Sequence, residues 1–318
     1  MKFSIVIGIF AILNGVNGRK FIVKGRSRTT FSQTCDLDTG KYAGEWKMGQ
    51  PPVVSPNNTY NQEIGRFWLE QAELAHAALA SFARNTLYLM SLGSPPGLLV
   101  SSQEAGIDKI KHARLFYGFA SAFIGQELAP GPLDVEGCLD DTDIRFITQS
   151  LIKEGCIEET IGAIEARFRA HHAEDPAIKA ALTQLALDET NHAQYAWETL
   201  EWIMEKYPDI RGYVKETFRI ELERNLQTFE CKSGRSDLPS ICAKDCSDSE
   251  EKKIFRDYGL LVEEDVQMTT WTTWQPPLPL VQITYEEIKA SLQAMSRLQD
   301  ETLLYHQQGQ IKILATNS

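Results

Sequence analysis

Ala186-Leu187-Asp188-Glu189-Thr190-Asn191-His192-Ala193-Gln194-Tyr195-Ala196-Trp197 places an acid and an imidazole where a helix of this pattern buries leucine. Taken at alternating steps of three and four, the surrounding stripe reads Leu182, Leu185, Glu189, His192, Ala196, Thr199 and Ile203. That is the core-facing pattern of a helix packed among other helices. Glu189 and His192 are three residues apart, so both leave the helix on one face. A carboxylate and an imidazole at this spacing are the pair with which helical metalloproteins hold an ion.

A partial copy lies upstream. Asp108-Lys109-Ile110-Lys111-His112-Ala113 agrees with Asp188 through Ala193 at aspartate, histidine and alanine, and its stripe reads Ala105, Lys109, His112, Phe116, Phe119 and Phe123. The chain therefore reads as internally duplicated. If each copy is a helical hairpin, aligning the two preceding helices sets Ala75 against Glu159. Both sit on core stripes: Trp68, Ala72, Ala75, Leu79, Phe82 in one helix and Ile152, Cys156, Glu159, Ala163, Ala166 in the other.

On these residues, together with Ser81-Phe82-Ala83-Arg84 and Leu92-Gly93-Ser94-Pro95-Pro96, residues 61–207 resemble the ferritin-like, rubrerythrin-type four-helix domains. The resemblance implies an all-α fold: a ferritin-like four-helix bundle with additional C-terminal helices and an extended N-terminal segment. It further implies that each repeat supplies one Glu from its first helix and a Glu-x-x-His from its second, holding iron or manganese. By the same resemblance the second repeat is intact, with Glu159, Glu189 and His192. The first keeps only His112, because Ala75 and Lys109 stand at its two glutamate places.

A pair of divalent ions normally needs about four carboxylates and two imidazoles, and this constellation offers two of each plus a lysine. An ammonium at position 109 opposes a cation nearby unless it deprotonates or swings away. Three readings stay open. In a metal-free layer, Lys109 replaces the metal's charge, bridging Glu159 and Glu189 while His112 and His192 complete the hydrogen bonding. In the second, one metal ion binds. In the third, the chain is a metal-dependent oxidoreductase that uses iron or manganese at Glu159, Glu189 and His192. Helix one carries a further Glu-x-x-His, Glu73 and His76, one residue round from Ala75. It is either a ligand pair brought inward by a small rotation or a surface acid–histidine pair. Glu154 and Glu165 are expected to be solvated.

Around this domain, residues 1–18 read as a secretory signal peptide, the apolar run being too short and too interrupted for a membrane anchor. A secreted protein is therefore expected, with no membrane contact after cleavage, and Asn57-Asn58-Thr59 is a glycosylation sequon. Residues 19–60 show no sustained period and read as a segment lying over the domain. Residues 208–318 read as a helical extension with a cysteine loop and a Trp/Pro-rich arm around Trp271 and Trp274, which is either packed on the domain or a ligand surface. The cysteines are Cys35, Cys138, Cys156, Cys231, Cys242 and Cys246. In an oxidising compartment these predict disulfides of undetermined pairing, with Cys156 a candidate buried thiol and a zinc site from the loop cysteines the weaker alternative.

The 318 residues carry 32 basic and 43 acidic side chains, a net charge of -11. Such a surface repels phosphate backbones, so nucleic acid is excluded as a partner. A homodimer is the one assembly left open.

Overall fold

The computed structural model describes residues 20–34, 44–221 and 250–261, and these are mostly helical. Helix α1 spans Asn61–Leu92 and α2 spans Pro96–Ile124. Between them Gly93 adopts a left-handed conformation (φ 64°), which lets Ser94 N donate back to Leu89 O at 3.0 Å. Glycine takes that conformation without a Cβ penalty, and the prolines that follow start the next helix where no backbone donor is needed.

The third rod is continuous from 144 to 172 but not uniform. It comprises α3 (Ile144–Ser150), a π-helical stretch (Leu151–Ile157) and α4 (Glu158–His172). Asp143 caps its start by accepting from Arg145 N at 2.8 Å. Helix α5, Pro176–Lys206, is capped by Asp175, whose side chain accepts from Ala177 N and Ile178 N. A helix over 211–221, α6, and a short α7, Glu250–Asp257, complete the described helices. Among the described residues, strand is confined to two antiparallel pairs: β1 (Ile22–Val23) with β2 (Arg26–Ser27), and β3 (Ser32–Thr34) with β4 (Leu128–Pro130).

Helix α1 packs along α2, α4 along α5, and α2 against α5. One apolar cluster joins Trp68, Phe116, Phe119, Ile178 and Leu182, with Ala75 and Ala166 at its edge. A second joins Leu151, Ile152, Cys156, Leu200, Ile203 and Phe218. A third, smaller cluster joins Phe82, Leu89, Ala105 and Tyr195. The N-terminal segment closes the outside: Phe21 and Val23 pack on Ala77, and Arg84 donates to Ile22 O at 2.6 Å.

Glu154 corrects the expectation of a solvated side chain. It is buried, ion-paired with Arg84, and accepts from Ser81 and Ser150. The π-helical stretch moves the rod out of α-helical phase at this point, so a 3.6-residue stripe misplaces it. No disulfide forms among the described residues; Cys138 has a free thiol and Cys156 is buried in the second cluster. Residues 1–18, the other four cysteines, Trp271, Trp274 and the part of the expected helical extension beyond residue 261 lie outside the described residues. Among those described, no helix is long and apolar enough to cross a membrane.

The α1–α2 crossing is tightest at Gly65, where a Cβ would lie 2.5 Å from Ile124 Cγ1 and 3.1 Å from Phe123 Cβ. Gly65→Ala should therefore destabilise the protein by about 1–3 kcal/mol, the overpacking cost outweighing the helix-propensity gain of about 1 kcal/mol. A lowered denaturant midpoint checks this; a raised one would show that the two helices part freely at Gly65.

Candidate metal centre

The polar layer is assembled from helices that each supply it for a local reason. Helix α2 contributes Asp108, Lys109 and His112, α4 contributes Glu159, and α5 contributes Asp188, Glu189 and His192. The i, i+3 spacing of Lys109 and His112, repeated by Glu189 and His192, turns both members of each pair inward. Relative exposure is 0% for Glu159, 2% for Lys109, His112 and His192, and 5% for Glu189. Water therefore does little to screen these charges, and each must be balanced by a neighbour.

Lys109 supplies that balance. Its Nζ donates to Glu159 Oε2 at 3.1 Å and to both oxygens of Glu189 at 2.7 and 2.8 Å, and it lies 5.8 Å from the centroid of the Phe82 ring. The imidazoles are held from outside in a crossed arrangement. His112 Nε2 meets Asp188 Oδ2 at 2.8 Å, and His192 Nε2 meets Asp108 Oδ2 at 3.3 Å, so each histidine is oriented by the aspartate of the other repeat. A carboxylate accepts only, which places the proton on Nε2 and turns Nδ1 inward. Both Nδ1 atoms are buried without a hydrogen-bond partner, as is Glu159 Oε1. His192 Nδ1 lies 3.4 Å from Glu189 Oε2 and 3.8 Å from Glu159 Oε2, and His112 Nδ1 lies 3.6 Å from Glu189 Oε1.

Burial opposes every charge here, and the neighbours decide which survive. For Lys109 the pull of Glu159 and Glu189 exceeds the burial cost and raises its pKa. Glu189 sits well below the usual carboxylate range, because Lys109 and its hydrogen bonds outweigh burial. Glu159 is pushed up to about 7 by burial and by the adjacent Glu189. His192, where Asp108, Glu159 and Glu189 overcome burial, rises to about 10, whereas burial holds His112 below its ordinary value. Asp108 falls to about 2: burial works against its charge, and His192 and Lys111 outweigh it.

One oxygen or nitrogen from each of Glu159, Glu189 and His192 lies within 4.8 Å of the others. Two carboxylates and an imidazole suit a hard or borderline divalent ion such as iron or manganese, which would have to displace the Nδ1 proton that His192 carries in the metal-free layer. The residues fit one ion. Beside this group, Ala75 lines a cavity of about 30 Å³ shared with Gln71, Lys109, His112, Glu165, Arg169 and Glu189.

Two sequence expectations fall elsewhere. Glu73 accepts from Ser32 N at 3.0 Å and from Ser32 Oγ, which in turn meets Tyr117 OH; His76 packs edge-on against Trp46. That pair faces the N-terminal segment and not the central group. Glu165, expected to be solvated, is instead buried on the cavity wall, with its carboxyl pushed up to about 8 by burial against the pull of Arg169. Asp108 and Asp188 were overlooked as orienting groups, although the signal was present: each copy has an aspartate four residues before its histidine.

Comparison of the chain with protein-family models, with curated proteins and with solved structures finds no match in any of the three.

Glu159, Glu165 and His192 all bind a proton more tightly in the folded chain than in the unfolded one. Their stabilising contribution is complete below the unfolded values and is lost as pH rises through the folded ones. Melting temperature in chelator should thus fall between about pH 6 and about pH 8, and Glu165→Gln should flatten that slope. A melting temperature that climbs across this interval would mean these carboxyls are solvated.

Proposed function

We propose that the chain is a secreted, ferritin-like four-helix bundle protein of rubrerythrin type whose two-metal site has been partly lost, with Lys109 substituting for a metal's charge. The observation that carries this reading is the Lys109 ammonium held by Glu159 and Glu189, the two carboxylates that the resemblance assigns to metal. Support for the bundle comes from the duplicated hairpins, the crossed aspartate–histidine pairs and the long connection between α2 and α3. In this reading the centre is primarily a structural polar layer, able to hold one divalent ion or none. Its negative surface makes a nucleic-acid partner unsuitable.

A second reading, a metal-dependent oxidoreductase using iron or manganese, is favoured by one observation. Glu159, Glu189 and His192 converge closely enough to hold a single ion, and the inward Nδ1 of His112 faces the same space. Bound there, the ion would supply redox chemistry. The chain's own residues would orient the imidazoles through Asp108 and Asp188 and exclude water from the layer.

Lys109→Glu tests the first reading. In chelator the substitution sets three buried carboxylates together with no ammonium, and the melt should drop by the cost of a broken buried ion pair, about 3–5 kcal/mol. Added ferrous or manganous ion should restore stability, because a ligand that binds only the folded state stabilises it. A variant unaffected in both stability and metal uptake would mean that Lys109 carries no metal-like charge.

The proposed secretion has its own measurement. Asn57 is exposed on the loop before α1, so mass spectrometry of protein recovered from a secreting host should find the chain beginning at or near Arg19 with glycan on Asn57. An uncleaved, unglycosylated chain in the medium would contradict both assignments.

A further inference from the structure

The cavity beside the centre supplies what the one-ion reading lacks. An ion coordinated by Glu159 and Glu189 would take the oxygens that Lys109 now holds at 2.7 to 3.1 Å. Two cations cannot share those oxygens in a water-poor interior. The ammonium must therefore have somewhere else to go that is near, large enough and able to accept its hydrogen bonds. Lys109 itself lines such a space. The cavity of about 30 Å³ runs from Lys109, His112 and Glu189 past Ala75 and Ala78 to Gln71, Glu165 and Arg169, and that volume is roughly one water molecule's share of liquid, the size of an ammonium head.

Its far wall is chemically incomplete. Glu165 Oε2 is buried without a hydrogen-bond partner. Arg169, one turn away on the same helix, does not fill this role: its Nε donates to Gly259 O at 2.7 Å, and its guanidinium lies over the Phe67 and Trp68 rings at 5.0 and 5.1 Å. A buried carboxyl facing a void that a lysine also lines becomes an acceptor of the right charge once the arriving ammonium drives off the proton that burial holds on it up to about pH 8. The shortened side chain at position 75 is what keeps the path open.

We infer that Lys109 is an exchangeable internal counter-ion: when a single divalent cation binds Glu159, Glu189 and His192, the Lys109 ammonium moves into the adjacent cavity and is received by Glu165. This rests on the one-ion reading of the centre. A four-carbon stem with three rotatable donors suits such a movement. The protein then has two charge-balanced states of one core, selected by the availability of the cation.

The test is titration of the full chain, first stripped with chelator, with Mn²⁺ followed by electron paramagnetic resonance of the free ion. Four backgrounds are compared: the natural sequence, Lys109→Met, Glu165→Gln and the double variant. Lys109→Met should bind Mn²⁺ about tenfold more tightly than the natural chain, there being no ammonium to displace, and Glu165→Gln about tenfold more weakly. In the Lys109→Met background Glu165→Gln should change affinity by less than about twofold. Ala78→Val narrows the cavity without touching a charge. It should weaken binding in the natural background and leave Lys109→Met unaffected, and it serves if Glu165→Gln does not fold.

Equal effects of Glu165→Gln and Ala78→Val in both backgrounds, or none in either, would overturn the exchange. So would Mn²⁺ binding by Lys109→Met but not by the natural chain, which would make the lysine a fixed replacement. Failure of Lys109→Met itself to bind Mn²⁺ would instead remove the one-ion reading beneath it.

Discussion

An ammonium enclosed by two carboxylates at the centre of the described helices is the contact that the remaining polar groups are arranged to tolerate. Ion pairs of this depth are weak as sources of stability, since the desolvation of each charge offsets most of their attraction, but they are costly to break. The contact therefore constrains more than it stabilises. It requires α2, α4 and α5 to meet at one height, and it separates the apolar cluster around Trp68 and Phe116 from the one around Cys156 and Leu200. Hydrophobic burial drives the helices together; the charge balance determines the register at which they stop.

The same requirement recurs along the third rod. Glu154 is balanced by Arg84, and Glu158 meets Lys20 at 3.3 Å. Glu159 is balanced by Lys109, and only Glu165 lacks a direct partner. All three cations come from outside the α4–α5 hairpin, from α1, from the N-terminal segment and from α2. That segment thus does more than cover apolar surface. By placing Lys20 and the Ile22 carbonyl, it completes the solvation of a rod that turns acids toward the interior on more than one side.

How far this was legible in the sequence depends on whether a residue's neighbours lie on its own helix. The stripe through Glu189 and His192 and its copy through Lys109 and His112 were readable because helical periodicity alone decides which way those side chains face. The bridging of Glu159 and Glu189 by Lys109 followed from charge. The stripe misplaces Glu154 and Glu165 because periodicity assumes one phase and one buried side, whereas the π-helical stretch changes the first and Glu165 lines an internal cavity with residues of α1, α2 and α5. Glu73 and His76 matched a ligand spacing, yet they serve Ser32 and Trp46, which local pattern cannot foresee.

The crossed aspartate–histidine pairs carry a consequence for how the chain reaches its native state. Each histidine is oriented by a residue from the opposite hairpin, 76 positions away for His112 and 84 for His192. Neither hairpin can organise its own imidazole. Helices can form early from nearby contacts, but these rings are set only once the two halves dock, after the entropy of closing the long intervening loop has been overcome. Docking in the wrong register would leave two buried imidazoles without the aspartates that orient them, so the exchange acts as a proofreading step on the assembly of the two hairpins.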